Sequence, residues 1–300
     1  MTDRNKILLE SGTNELEMIE FEMGKNKYGI NVIKVKEIIM PGTVTPIPHA
    51  HPYIKGIIQL RGEVLPVINM EKVLNLPQEK CPTEKFIVTE FNQQKVCFRV
   101  HNVTQIHRIS WEQIEKPSDM YSAADSQVIG VVKREEDMIL MLDFEKIITD
   151  INPETGINIQ KLRHLGERER SDKRIVVAED SSLLRKLLIE TLEKAGYVKV
   201  QCFENGKDVY NYLDTLLSET TDILKEVQLV ITDIEMPLMD GHHLTKKIKE
   251  HDQLSKIPVI IFSSLITESL FHKGVMVGAD DQVSKPEIEK LVEKIDQYIL

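Results

Sequence analysis

Only three cysteines, Cys81, Cys97 and Cys202, occur in 300 residues. They are odd in number and widely spaced, with no CxxC pair, which leaves no basis for a disulfide framework. Each is expected to act as a small apolar residue in a chain suited to a reducing cytoplasm. Long apolar runs are missing too. None approaches the ~18 residues of a membrane span, and Ile7 to Leu9 is too short for a signal peptide. Positive charge is in deficit: Lys and Arg number 38 against 48 Asp and Glu, for a net charge of −10. That balance is spread rather than blocked, and it does not favour nucleic acid or another polyanion. The first half also lacks a Gly-rich phosphate loop, a nucleophile turn with a Ser/His/Asp grouping, and any metal-ligand spacing. These absences predict a soluble, intracellular chain of about two domains, with no direct membrane insertion.

The chemistry that is present centres on Gln228 to Gly241. Leu229 to Ile231 reads as a buried strand that delivers Asp233 to its C-terminal edge, and Met236-Pro237 and Asp240-Gly241 turn the chain into a helix starting near His242. A lone Asp there would simply cap a turn. Three further strand tips point the same way: Arg174 to Ala178 ends in Glu179-Asp180, Pro258 to Phe262 ends in Ser263-Ser264, and the run around Gln282 ends in Lys285-Pro286. After the strand at Arg174 to Ala178, Leu183, Leu184, Leu187, Leu188 and Leu192 repeat at helical spacing, with Ser181 as N-cap and Gly196 as terminator, and Val198 to Cys202 supplies another strand. From 173 to 300 the order is βαβαβαβαβα, which predicts a doubly wound, flavodoxin-like α/β domain with five parallel strands. Open sheets of this kind place their sites where strand tips converge.

Glu179, Asp180 and Asp233 at adjoining tips would repel one another by about 4 kcal/mol per pair at ~4 Å and an effective dielectric near 20. Such a cluster persists with a cation, and oxygen ligands with room for water suit Mg²⁺. An Asp beside Mg²⁺ can accept a phosphoryl group. Lys285 and the Ser263 hydroxyl can hold the phosphoryl oxygens.

At these residues the segment 173–300 resembles the receiver domain of two-component response regulators. The resemblance implies that Asp233 is phosphorylated by a histidine kinase. It implies Mg²⁺ held by Glu179, Asp180, Asp233 and the backbone carbonyl of Glu235, and a cis Lys285–Pro286 bond. Gln282 stands where many receivers carry a switching aromatic ring, so the loop after Ser263 is expected to carry most of the signal, with Leu265, Ile266 and Phe271 as an apolar surface beside it. The alternative is a phosphohydrolase with Asp233 and Glu235 as nucleophile and acid, although those enzymes usually carry that motif on the first strand of their domain, not the third.

In the first half, residues 4 to 11 read as a short helix. From Leu16 the apolar period changes to two, and Gly24-Lys25-Asn26 makes a hairpin turn. Pro41, Pro46, Pro48 and Pro52 mark an extended loop whose His49 and His51 read as solvated histidines. Gly56 to Asn69 reads as strand, turn at Arg61-Gly62, and strand, followed by a helical turn through Leu74. It is the one run here apolar enough to look buried on both faces. It recurs without gaps at Gly130 to Asp143, followed by Phe144 to Ile148, so that Glu71-Lys72 falls on Glu145-Lys146. Two copies of one hairpin and helix predict two related β-units in one domain. Lys85 to Phe91, Gln94 to Val100 and Val103 to Ile109 read as three more strands.

At Tyr28-Gly-Ile30, Val35-Lys-Glu-Ile38, Pro46-Ile-Pro48, Gly56 to Gly62 and Pro66-Val-Ile-Asn69 the first half is similar to CheW-like coupling domains. That likeness implies a mainly-β pair of small five-stranded barrels over residues 1–150, docking on chemoreceptor tips and on the chemotaxis histidine kinase, with Arg61 as the receptor-contact candidate. An Arg that merely holds its turn to a nearby carboxylate is the plainer alternative. Residues 151–172, polar and charged behind Asn152-Pro153, read as a linker, and its His164 lacks the helical setting of a phosphorylatable histidine. A CheW-like domain followed by a receiver, with an Ile7 to Glu15 segment of matching character, resembles the CheV-type chemotaxis coupling proteins. The resemblance implies a non-enzymatic adaptor in the cytoplasm, recruited to receptor arrays by its partners and regulated through Asp233. The other reading is a phosphate sink that drains the kinase and hydrolyses its own acyl phosphate.

Overall fold

The computed structural model describes residues 15–78, 81–92, 94–115, 127–135, 137–153, 169–220 and 222–299. The segments 4–11 and Ile7 to Asn14, and His164, lie outside them. Among the described residues no helix is long and apolar enough to cross a membrane. Two units divide the chain, one ending its described part at Pro153 and the other beginning at Glu169.

The first unit holds two sheets. One runs β3 (Val35–Ile39), β6 (Lys85–Phe91), β7 (Gln94–Val100), β5 (Glu63–Asn69), β4 (Ile54–Leu60). Beyond β3 the chain crosses to β4, where Thr45 and Ile57 exchange backbone hydrogen bonds of 2.9 Å each way, and this one bridge closes the sheet on itself. Closure turns Ile58, Leu65, Val67, Phe86, Val88 and Cys97 into one interior. The other sheet runs β8 (Asn102–Ser110), β1 (Glu15–Met23), β2 (Asn26–Asn31), β11 (Met138–Leu142), β10 (Val128–Lys133), β9 (Ile114–Glu115). It has six strands where five are expected. The extra one is two residues long and follows β8 through the single turn Trp111–Gln113, so one chain segment serves both edges. Phe98 and Phe21 meet Phe144 edge-on, at ring separations of 4.7 and 6.1 Å. Between the two sheets, these rings bury large apolar faces in favourable geometry.

The internal repeat is physical. β4 and β5 pair Ile54 with Ile68 and then slip at Gly56, which faces Val67; β10 and β11 pair Val128 with Leu142 and slip at Gly130, which faces Met141. Each hairpin ends in a residue that caps a helix with its own side chain: Asn69 accepts from the Glu71 amide before α1 (Met70–Val73), and Asp143 from the Lys146 amide before α2 (Phe144–Ile151). Even the bulge is repeated. The burial of Gly56 to Asn69 differs from expectation. β4 ends the strand order and, apart from the single bridge to Thr45, pairs only with β5, whose Val64 is 64% exposed, and the strands buried on both faces are β6 and β7. Those two are central and carry the neighbours that β4 lacks.

The second unit is a parallel sheet in the order β13 (Tyr197–Phe203), β12 (Ser171–Ala178), β14 (Leu229–Thr232), β15 (Val259–Ser263), β16 (Asp281–Ser284). The strand pleat sends alternate residues to opposite faces. Ile175 and Val177 enter a core with α3 (Ser182–Lys194) and α8 (Ile288–Ile299). Val176 and Ala178 enter another with α4 (Gly206–Glu219), α5 (Ile223–Glu226) and α6 (Gly241–Glu250). Neither core takes a described side chain from α7 (Glu268–Met276).

Candidate functional site

Register brings the strand tips together. Ala178 pairs with Thr232, Thr232 with Ile261, and Ser263 with Ser284, so Glu179, Asp233, Ser264 and Lys285 all follow at one edge. Glu179, Asp180 and Asp233 offer carboxylate oxygens within 4.8 Å of one another. Glu179 and Asp233 are buried and Asp180 is exposed. The Lys285 ammonium lies 3.0 Å from a Glu179 oxygen and 2.8 Å from Asp233 Oδ2, with its side chain 5% exposed. Burial drives the Glu179 carboxyl pKa well above its ordinary value. Lys285 opposes that, and Asp233 and Asp180 add to it.

Three carboxylates and one ammonium leave two formal negative charges, the complement of a divalent cation. All donors are oxygen, and the exposed Asp180 leaves room for water, so the residues fit Mg²⁺. Asp233 itself is held by its backbone amide to the Ala178 carbonyl at 2.9 Å, while its Oδ1 accepts from the Ile234 amide at 2.6 Å. Ser263 is buried, and its hydroxyl accepts from the Leu265 amide at 3.2 Å. Glu235, half-buried, follows Asp233 in the same loop.

The loop after Asp233 is folded so closely that only glycine fits at 241. A Cβ there would stand 1.8 Å from the Asp233 carbonyl oxygen. Because that obstacle is backbone, Gly241→Ala must displace the loop. We expect a stability loss of about 2 kcal/mol or more and at least tenfold slower phosphorylation by a small-molecule phosphodonor. Denaturant melts and phosphate incorporation would check both, and unchanged incorporation would show that the loop position is unimportant.

Two expectations are corrected. Among the described residues every peptide bond is trans, Lys285–Pro286 included. The turn there is closed by the Glu287 amide to the Ser284 carbonyl at 2.9 Å, and trans is the favoured X–Pro isomer by about 0.5–1 kcal/mol. Leu265 is buried, at 1% exposure, and so cannot belong to an apolar surface; the exposed apolar side chains are Phe271, Val275 and Met276 on α7. Gln282 is anchored to α7. Its amide nitrogen donates to the Phe271 carbonyl at 2.8 Å, and its head fills the notch left by Gly274, where a Cβ would lie 2.3 Å from Oε1.

His242, read in the sequence only as the start of a helix, grips the same helix, α7. From α6 its Nε2 donates to the Leu270 carbonyl at 3.3 Å, while the buried Nδ1 has no partner among the described residues. Burial, then Lys273, lowers its pKa to about 4, against a smaller opposing pull from Asp240. The unfolded chain therefore takes up a proton near pH 6.5 that the folded one refuses until about pH 4. Stability present above pH 6.5 is lost as pH falls through that window, by roughly 3 kcal/mol at 1.36 kcal/mol per unit. His242→Gln should remove that component of the acid slope in denaturant melts, and an unchanged slope would contradict it.

In the first unit Arg61 and Gly62 both have positive φ, 48° and 90°, the geometry of a tight two-residue hairpin turn. Arg61 bonds Glu37 at 2.7 Å, with its side chain 77% exposed. His51 accepts the Tyr53 amide at 3.2 Å, and neither His49 nor His51 joins a metal-ligand group among the described residues.

Comparison with known proteins gives two family matches: a CheW-like domain over residues 17–152 and a response regulator receiver domain over 175–296. The chain is 32% identical over 302 residues to chemotaxis protein CheV3 of Helicobacter pylori, covering 95% of each. It is 28% identical to CheV1 of the same organism, covering 95% of this chain and 94% of the relative. Its first half is 28% identical over 151 residues to chemotaxis protein CheW of Thermotoga maritima, across 50% of this chain and 98% of that protein. With a closed β unit, a parallel α/β unit and full-length relatives in agreement, the chain belongs to the CheV-type chemotaxis proteins, a CheW-like domain joined to a receiver domain.

Proposed function

We propose that the protein is a chemotaxis adaptor in which residues 1–150 couple chemoreceptors to a histidine kinase, 151–172 form a linker, and 173–300 regulate that coupling through phosphorylation of Asp233. The observation that supports this best is the Lys285 ammonium set between Glu179 and Asp233 beside the open Asp180. Asp233 is the nucleophile, and Glu179, Asp180, Asp233 and the Glu235 carbonyl are the ligands proposed for Mg²⁺. When bound, the ion neutralises charge on the phosphoryl group. Lys285 pairs with a phosphoryl oxygen, and the Ser263 hydroxyl turns from the Leu265 amide to another. Water at the exposed side then hydrolyses the acyl phosphate.

A phosphoryl group adds about −1.5 to −2 charge in this pocket. It draws Lys285 and Ser263, whose strands and loops abut α7. That helix adds no described side chain to either apolar core and is held by His242, Gln282 and its own buried Leu270, so it is the element able to move. Arg61 is the proposed receptor contact. A non-Gly residue at positive φ is strained, and its exposed pair with Glu37 is worth only about 0–1 kcal/mol, too little to account for an Arg there. Co-sedimentation with receptor–kinase assemblies tests this: Arg61→Ala should bind less protein than wild type, and equal binding would remove Arg61 from the contact.

A further inference from the structure

Arg185 sits on the first turns of α3, where an amphipathic helix would turn an arginine to solvent, yet its side chain is only 16% exposed. One guanidinium nitrogen donates to two consecutive carbonyls, Glu179 at 2.7 Å and Asp180 at 2.8 Å. The other reaches the Glu204 carboxylate at 2.9 Å, at the tip of β13. Both carbonyls of the acid pair are therefore committed to one planar group that is itself tied to the neighbouring strand tip. The Glu179 amide is bonded to the Phe203 carbonyl at 3.0 Å, and its Oε1 accepts from the Ser181 amide at 3.2 Å, so the pair is held from several sides.

We propose that Arg185 is a positioning residue for the acid pair: its guanidinium fork fixes the peptide that carries the Glu179 and Asp180 carboxylates and so sets the site's affinity for Mg²⁺. The proposal rests on the Mg²⁺ reading given above. Its two possible contributions have opposite signs. As a charge, Arg185 repels an arriving cation, so removing it would tighten Mg²⁺ binding. As a clamp, it holds two mutually repelling carboxylates at the spacing a small, octahedral ion demands, so removing it would loosen binding. Groups that hold metal ligands in place typically contribute tenfold or more to affinity, whereas a partly exposed charge beside the site is screened. The clamp prevails. A lysine keeps the charge but presents a single point donor in place of a planar fork.

The test is calorimetric titration of Mg²⁺ into the full chain, with melting temperatures measured for every variant without metal. Arg185→Gln is expected to weaken Mg²⁺ binding about tenfold, and Arg185→Lys to weaken it in the same direction. A purely structural role would lower the melting temperature and leave Mg²⁺ affinity unmoved. Binding by folded Arg185→Gln as tight as wild type, or tighter, overturns the proposal. If wild type itself binds no Mg²⁺, the reading of the site as a metal centre falls instead. Should Arg185→Gln not fold, Arg185→Lys decides alone: affinity equal to wild type overturns the clamp.

Discussion

Neutralising both members of the acid pair, with Glu179→Gln and Asp180→Asn together, is expected to weaken Mg²⁺ binding by at least a hundredfold and to stop phosphorylation of Asp233. The three carboxylates share one space, with oxygens within 4.8 Å. At that scale each unit charge pair is worth about 4 kcal/mol at an effective dielectric near 20. A hundredfold is about 2.7 kcal/mol, so even a heavily screened loss of two charges exceeds it. Each single amide should fall between, giving a stepwise series in calorimetric titration. The same double variant should be no less stable than wild type without metal, because it removes the like-charge crowding of Glu179 by Asp233 and Asp180 while Asp233 keeps its pair with Lys285. Wild-type affinity in the double variant would mean that the acid pocket is misassigned.

Lys285→Met should have a large effect on stability. The ammonium bonds both buried carboxylates, at 3.0 and 2.8 Å, and leaving buried charge uncompensated costs about 3–5 kcal/mol. Glu179 can escape part of that cost by taking up a proton, since its pKa is already raised by burial. The expected loss in metal-free denaturant melts is therefore about 2–3 kcal/mol at neutral pH. Added Mg²⁺ should restore most of it, because the cation supplies the missing positive charge. A variant as stable as wild type without metal would remove Lys285 from the electrostatic balance of the site.

The receiver pocket was legible because its strands are short apolar runs that end abruptly in turn residues, so Asp233, Ser263, Lys285 and the acid pair announce themselves at tips. The repeat in the first unit was legible down to its helix caps, since Asn69 and Asp143 fall at the same step. What stayed hidden depends on partners far along the chain. Gly56 to Asn69 is as apolar as a central strand, but that its first half, β4, ends the strand order while β5 sits beside β7 is decided by pairing with distant strands. His242 and Gln282 are polar residues whose burial follows from the path of α7 above them, and no local pattern encodes it. Arg185 reads as an ordinary helix-surface residue until the carbonyls of Glu179 and Asp180 are seen to converge on it.

The most direct test of phosphorylation-controlled coupling is kinase activity in reconstituted receptor arrays containing this protein or its Asp233→Ala variant, with phosphoryl groups supplied by a small-molecule donor in excess. An unlimited donor removes any role for a sink, so only a change in coupling can be read. Wild-type arrays should change their kinase activity when the donor and Mg²⁺ are added, while Asp233→Ala arrays assemble and couple but do not respond. Equal responses from the two proteins, or no response from wild type while Asp233 is phosphorylated, would contradict regulation of coupling through Asp233.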